Sequence, residues 1–172
     1  MSVRRSLPMV ALIGAGGLLA SLSACAPPPP PPPAVLMLSI AAGPDQNPDA
    51  TGRAAPVAVH LFQLATTAKF ERADIFALIE REQATLGADG LASEEFVLAP
   101  GETRTVTREL KKDTQAVGVA VLFRDIDHAT WRAMAPVSNT GPQKLLLKTQ
   151  GITASLSPAS ASPASASPAP AP

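Results

Sequence analysis

The chain contains a single cysteine, Cys25, and its position gives the clearest chemistry in the sequence. It follows Leu22-Ser23-Ala24, which lie behind an apolar run and the basic residues Arg4 and Arg5. A leucine and two small residues before a cysteine are what a bacterial lipoprotein signal peptidase reads, cleaving before a cysteine whose sulfur carries diacylglycerol. The sequence therefore predicts a signal peptide over residues 1–24 and covalent diacylglycerol and N-acyl chains on Cys25.

Two alternatives to lipidation are weaker. Ordinary cleavage after Ala24 would leave an unpaired thiol in an oxidising compartment, where an odd cysteine is a liability. An uncleaved anchor helix would be ended at once by the prolines of residues 27–33. Because Ala26 follows the cysteine, and no Asp is there to retain the protein at the inner membrane, we expect it on the periplasmic face of the outer membrane.

Acidic residues at two places have the spacing of the first ligands of a calcium loop. The first set is Asp45, Asn47 and Asp49. Its sixth position is Ala50, where such a loop needs glycine, and its twelfth is Pro56, where it needs a bidentate Glu. Residues 125–127 fail at the same two positions. The sequence therefore predicts no metal site.

Catalytic residues do not assemble from this sequence. The only histidines are His60, within a predicted strand, and His128, in a predicted loop, and neither has an evident partner. No serine stands in a nucleophile elbow, and no glycine-rich phosphate loop occurs in the mature region. We therefore predict that the protein is not an enzyme and has neither a cofactor nor a small-molecule substrate.

Composition excludes other classes of partner. The 172 residues include 14 basic and 14 acidic side chains, so there is no electrostatic case for nucleic acid. One Trp, five Phe and no Tyr make a stacking-based reader of bases or sugars improbable.

The mature chain divides into three parts by composition. Residues 25–33 are the lipidated cysteine and a polyproline spacer. Residues 34–152 suit one folded domain of ordinary size. Residues 153–172 are rich in Ala, Ser and Pro and are predicted to be a disordered tail, because they have little to bury.

The folded region shows the pattern of an all-β protein with one short helix. The helix is predicted within 68–82, where the apolar residues do not form one face, so we expect it to be partly buried all round. Gly118 indicates close packing by a neighbour. Short strands and tight turns favour a two-sheet β-sandwich of the immunoglobulin or transthyretin kind. The predicted strands are residues 35–40, 57–64, 94–98, 102–110, 116–123, 131–134 and 144–152.

Two predicted connections bear on the fold and the function. A type II turn at Pro100-Gly101 should join strands 94–98 and 102–110 as a hairpin. The long polar connection over residues 45–53 is rich in turn formers and is predicted to be a surface loop. In it, the side chains of Gln46, Asp49 and Arg53 are expected to be free to contact a partner, whereas Asn47 and Gly52 serve either recognition or the turn itself.

Four separated stretches resemble one known family. Residues 47–64, which begin Asn47-Pro48-Asp49-Ala50-Thr51-Gly52-Arg53, resemble the N-P-D-x-x-G-R-x-x-P segment and following strand of the TssJ family. These are outer-membrane lipoproteins of type VI secretion systems, also called VasD or SciN. Residues 69–78, 95–102 and 123–132 agree in the same order. Phe62 stands where Tyr is common in the family, and Ile75 where an aromatic residue is common.

The resemblance implies a transthyretin-like sandwich with one inserted helix and a non-catalytic role. It implies binding to the periplasmic C-terminal domain of TssM, a large inner-membrane protein, and to TssL indirectly. The implied contact is the loop between the first two strands: Asp45, Gln46, Asn47, Pro48, Asp49, Ala50, Thr51, Gly52 and Arg53. The alternatives are a periplasmic lipoprotein that binds a small ligand or assists assembly in the manner of a pilotin, and a lipid-anchored hydrolase.

Overall fold

The computed structural model describes residues 32–159. The predicted signal peptide, Cys25, most of the spacer and the end of the tail lie outside the described residues. Within 32–159 the chain forms eight strands, three short α-helices and one 3-10 helix. In order these are β1 Val35–Ala42, β2 Val57–Leu64, α1 Ala68–Arg72, α2 Ile75–Glu80, α3 Glu82–Leu86, the 3-10 helix Gly87–Asp89, β3 Gly90–Leu98, β4 Thr103–Glu109, β5 Ala116–Leu122, β6 Arg132–Pro136, β7 Pro142–Gln150 and β8 Thr153–Pro158.

The strands form two four-stranded sheets. The first sheet has the order β4-β1-β7-β8 and the second β3-β2-β5-β6. Strands β1 and β7 run parallel, and the other pairs are antiparallel. Alternate residues of both sheets fill the space between them, as the period-two patterns require. The predicted two-sheet sandwich is confirmed.

A second apolar cluster lies on the outer face of the β3-β2-β5-β6 sheet, under the helices. Phe62 of β2 packs there against Phe70 of α1, with ring centroids 5.3 Å apart. This second layer explains why β2 and β5 are apolar on both faces, and it confirms that both are interior strands. It also explains Gly118, since a Cβ at that position would lie 2.8 Å from the Phe70 ring.

The prediction of one helix within 68–82 is wrong, because the segment contains two breaks. At the first break Ala73 is extended, and the Asp74 side chain begins α2 by accepting a hydrogen bond of 2.8 Å from the N–H of Ala77. The guanidinium of Arg132 donates to the carbonyls of Phe70 and Ala73, at 2.7 and 2.9 Å, and so satisfies the end of α1. None of the helices between residues 32 and 159 is long and apolar enough to cross a membrane.

The predicted hairpin of residues 94–98 and 102–110 is also wrong. Strand β3 pairs with β2, and β4 pairs with β1 in the other sheet. The predicted turn is present, since Glu102 N–H donates to the carbonyl of Ala99 at 3.1 Å and Gly101 has a φ of 74°. The turn carries the chain from one sheet to the other. The pairing was not predictable from the sequence, because an alternating pattern determines which face of a strand is buried but not which strand lies beside it.

The end of the folded region lies further along the chain than predicted. Strand β7 ends at Gln150, and Gly151, with a φ of 52°, turns the chain into β8. Residues 153–158, which were predicted to begin a disordered tail, pair antiparallel with β7. Alternating small and polar residues are sufficient to form strand β8. Ala154 is buried in the core, and the backbone N–H and C=O groups of β8 pair with those of β7.

The sandwich has two distinct poles. At the entry pole, formed by residues 32–34, 110–115 and 137–142, Val35 N–H donates to the carbonyl of Gly141 as β1 begins. At the loop pole, formed by residues 43–56, 99–102, 123–131 and 150–152, Gly43 N–H donates to the carbonyl of Thr149 just after β1 ends. Eight residues of β1 at about 3.3 Å each separate the poles by about 25 Å.

Candidate functional site

The base of the 45–53 loop is closed by Gln46, whose side chain is fully buried. Its Nε2 donates to the carbonyl of Leu98 at 2.8 Å, and its Oε1 accepts a hydrogen bond from the hydroxyl of Thr149 at 2.5 Å. The side chain therefore bridges the two sheets beneath the loop. The prediction that Gln46 offers a free side chain to a partner is wrong, because both of its polar ends are bound inside the protein.

Asn47 joins the loop to its neighbours. It has a φ of 49° and is 3% exposed, and its Nδ2 donates to the carbonyl of Pro56 at 2.7 Å. Its Oδ1 accepts a hydrogen bond of 2.8 Å from the N–H of Arg124, in the loop between β5 and β6. Its own N–H donates to Gly151, in the turn between β7 and β8, at 2.7 Å. The sequence left open whether Asn47 serves recognition or builds the turn. These contacts show that it builds the turn.

The outer part of the loop is organised around the carboxylate of Asp49. Oδ1 accepts hydrogen bonds from the Thr51 hydroxyl at 2.6 Å, the Thr51 N–H at 2.9 Å and the Arg53 N–H at 3.0 Å. Oδ2 lies 3.2 Å from Nε of Arg53. The hydrogen bond from the Thr51 hydroxyl, followed by those from the backbone of Arg53 and Thr51, lowers the pKa of Asp49 below its ordinary value of 3.8.

The remaining predicted loop residues differ in exposure. Asp45, Ala50, Thr51, Gly52 and Arg53 are exposed, while Pro48 and Asp49 are half-buried. The side chain of Arg53 is 84% exposed even though it contacts Asp49. Gly52 has a φ of 80°, which favours glycine and fixes the tip of the loop. A partner approaching the loop would meet these residues and not Gln46 or Asn47.

The loop does not stand alone at its pole. A cleft of about 670 Å³ separates it from two other segments and is lined by Pro48, Asp49 and Ala50 on one side. On the other side lie Arg124 and Asp125, from the loop after β5, and Gly151 and Ile152, from the turn before β8. Sequence reasoning did not assign these residues to the site. The sequence did contain a signal that could have identified Arg124 and Asp125, because both lie in residues 123–132, one of the stretches that resemble the family.

Both histidines have carboxylate partners, contrary to the prediction from sequence. Nδ1 of His128 lies 2.7 Å from Oδ1 of Asp125. This hydrogen bond, and the charge of the same carboxylate, raise the pKa of His128 above its ordinary value of 6.5. Nε2 of His60 lies 3.4 Å from Oε2 of Glu95, its cross-strand neighbour. Within residues 32–159, no three His, Cys, Asp or Glu side chains converge to hold a metal ion.

A family model described as "Type VI secretion lipoprotein, VasD, EvfM, TssJ" matches residues 34–152. No curated protein sequence matched. The chain is 35% identical to the T6SS lipoprotein TssJ1 from Pseudomonas aeruginosa, with a TM-score of 0.73, over 76% of this chain and 100% of that one.

Two further solved structures contain similar chains. One is described as "Type VI membrane complex", where the match has 30% identity and a TM-score of 0.64 and covers 72% of this chain and 98% of that one. The other is described as the T6SS protein TssM C-terminal domain from EAEC, where the match has 29% identity and a TM-score of 0.59 and covers 73% and 98%. The family model covers residues 34–152, and these likenesses agree with the two-sheet fold. The chain therefore belongs to the type VI secretion lipoprotein family of TssJ and VasD, whose members are structural subunits and not enzymes.

Proposed function

We propose that the protein anchors a type VI secretion membrane complex to the outer membrane. In this role, acyl chains on Cys25 hold the protein in the bilayer, and the 45–53 loop binds the periplasmic C-terminal domain of a TssM-like inner-membrane protein. TssL is reached through that protein and is not contacted directly. Similar chains in structures described as a type VI membrane complex and as a TssM C-terminal domain support this kind of partner.

The separation of the two poles is the observation that carries the proposal. The described chain begins at Pro32, at the entry pole, so a tether from Cys25 reaches the domain there. The 45–53 loop lies about 25 Å away, at the opposite end of β1. A domain held by its entry pole turns the loop toward the periplasm, where a protein crossing from the inner membrane can meet it.

The loop has the properties of a preformed binding element. Gln46 and Asn47 fix its base, and Asp49 fixes its outer part through four hydrogen bonds. A partner that binds such a loop does not have to order it, which lowers the entropic cost of association. Arg53 provides an exposed guanidinium at the surface of the loop, and arginine is enriched at protein interfaces.

The assignment of the surface is tested by charge reversal and co-purification. Full-length protein carrying Arg53→Glu is produced in its own cell and purified from detergent-solubilised envelopes, and the recovery of the TssM-like protein is measured. Recovery should fall at least tenfold. Lys144→Glu is the matched control, since Lys144 is an exposed cation of β7 far from the loop, and its recovery should equal that of the unaltered protein.

Deletion of residues 48–53 gives the second arm. It leaves Gln46 and Asn47 in place and removes the exposed contacts. Unchanged recovery of the TssM-like protein by this variant would show that the loop is not the binding surface.

The anchor is tested separately with Cys25→Ser. Mass spectrometry of the mature amino terminus should find three acyl chains on Cys25 of the unaltered protein and none on the variant, which should lose its association with outer-membrane fractions. An unacylated but fully functional protein would contradict the proposed anchoring role.

A further inference from the structure

An apolar groove lies beside the proposed partner loop and has no assigned occupant. It runs between α2 and the segment that follows β5, and it encloses about 350 Å³. The ring of Phe76 stands at its edge and is 60% exposed, although α2 buries the neighbouring Ile75, Ala77 and Leu78. The apolar residues that line the groove are Ile75, Phe76, Ile79, Leu122, Phe123 and Ile126.

The exposure of Phe76 departs from the expectation of a helix buried all round. A short helix that is apolar on both sides covers the sheet with one side and leaves the other side without a cover. The exposed apolar surface also extends beyond the groove. Val97 of β3 is 57% exposed. It is the cross-strand neighbour of Ala58 in β2, and Ala58 is in turn the neighbour of Leu122, which lines the groove. The three side chains therefore lie on the same outer face of the sheet. Exposed apolar side chains on one face of a sheet are typical of an interaction site.

The groove and the 45–53 loop form one continuous surface. Arg124 lines the groove on one side and the cleft beside the loop on the other. Its backbone N–H is bound by the side chain of Asn47, which fixes the position of this boundary relative to the loop. A protein bound to the loop would therefore reach the groove by crossing Arg124.

The position of the groove argues against other occupants. The described chain enters at Pro32 and leaves at Ala159, whose N–H is bound to Lys144 near the entry pole, so both ends start far from the groove. Residues 159–172 contain only Ala, Ser and Pro, and residues 26–33 only Ala and Pro, so neither segment has large side chains to fill it. A membrane that holds the entry pole does not contact the loop pole.

From these observations we propose that the groove is a second contact for the protein that binds the 45–53 loop, an inference that rests on the proposed function. The partner places an apolar ridge in the groove, against Phe76 and Ile79, and an acidic side chain opposite Arg124. Arg124 is exposed, and among residues 32–159 no carboxylate lies within ion-pair distance of it. Aromatic residues, including phenylalanine, and arginine are enriched at protein interfaces.

The first experiment measures recovery of the TssM-like protein with variants of the full-length lipoprotein. Phe76→Ser should lower recovery at least tenfold, and Arg124→Glu should lower it by a similar factor. Met37→Ser is the matched control, because Met37 is an exposed apolar residue on the outer face of the other sheet, and recovery should not change. Melting temperatures of the three variants should match that of the unaltered protein, since all three altered side chains are exposed.

The second experiment identifies the occupant directly. A photo-crosslinking phenylalanine derivative replaces Phe76 in the full-length protein in living cells, which preserves the ring and the fold. Mass spectrometry should find the crosslink on the TssM-like protein whose recovery depends on Arg53. A crosslink to a second copy of this chain or to phospholipid would overturn the proposal.

The outcomes separate this inference from the proposed function. If Phe76→Ser and Arg124→Glu leave recovery unchanged while Arg53→Glu abolishes it, the groove is not a contact and the loop assignment stands. If Arg53→Glu and deletion of the loop leave recovery unchanged as well, the proposed function fails together with the inference.

Discussion

The side-chain oxygen of Asn47 accepts a hydrogen bond of 2.8 Å from the backbone N–H of Arg124, a residue 77 positions further along the chain. Both atoms lie at the junction of two loops, one that connects the two sheets and one that connects β5 to β6 within one sheet. The same asparagine also holds Pro56 and Gly151, so one buried side chain and its own N–H fix three segments at the loop pole. An internal residue therefore sets the relative positions of the exposed segments at this pole.

The first prediction concerns this junction. Asn47→Ala should destabilise the protein by about 1–3 kcal/mol, because the carbonyl of Pro56 and the N–H of Arg124 lose their partner. Urea unfolding of the domain measures the change. Asn47→Gly distinguishes the contribution of the side-chain hydrogen bonds from that of backbone strain, since glycine adopts the φ of 49° without strain. A glycine variant as stable as the unaltered protein would contradict the role given to the side chain.

Gln46 gives a second prediction, on the base of the loop. Gln46→Met keeps the volume but leaves Leu98 O and the Thr149 hydroxyl without a partner in a buried site. We expect a loss of about 2 kcal/mol in the free energy of unfolding, measured by urea denaturation. Asp45→Ala, at the exposed neighbouring position, should change stability by less than about 0.5 kcal/mol. Equal effects of the two substitutions would be inconsistent with the buried bridge.

The third prediction is a pH dependence of the outer loop. Because the folded pKa of Asp49 is lowered below 3.8, its stabilising hydrogen bonds are fully present above pH 3.8 and are lost as the pH falls through the folded value. Amide chemical shifts of Thr51 and Arg53, followed by NMR, should report this loss. Thr51→Val removes the hydroxyl whose hydrogen bond contributes most to the lowered pKa of Asp49, so this pKa should rise toward its ordinary value. No change in that pKa would mean that the Thr51 hydroxyl does not hold the carboxylate.

The fourth prediction concerns His128, whose pKa is raised above 6.5 by Asp125. A raised folded pKa means that the pair contributes its stability below pH 6.5 and loses it as the pH rises through the folded value. NMR titration of the imidazole should show the raised pKa, and Asp125→Asn should lower it toward 6.5. An unchanged titration in that variant would assign the shift to another group.

The fifth prediction tests the packing between α1 and β5. Gly118→Ala places a methyl group 2.8 Å from the ring of Phe70 and should destabilise the protein by about 1–3 kcal/mol through overpacking. Phe70→Leu in the same chain makes room for the methyl group. The double variant should therefore lose less stability than the sum of the two single changes, as thermal unfolding would measure. Additive losses would show that the two side chains do not compete for the same space.

Local patterns in the sequence determined several features of the fold. The apolar runs of β2 and β5 predicted interior strands, because a strand covered on both faces has no polar side. Pro100-Gly101 predicted its turn, since the φ of 74° that Gly101 adopts is one that glycine takes without strain. Gly118 predicted close packing by a neighbour. Four matching stretches also indicated the family, and these did not depend on knowing which strands pair.

Only the tertiary structure decided which polar side chains turn inward and which strands are neighbours. Gln46 and Arg53 look equally suited to a surface loop, yet Gln46 is buried because Leu98 and Thr149, far away in sequence, supply its hydrogen bonds. Strands β3 and β4 look like a hairpin, yet each finds its partner in a different sheet. The sequence encodes conformations over a few residues, whereas burial and pairing depend on distant groups that meet only when the chain folds.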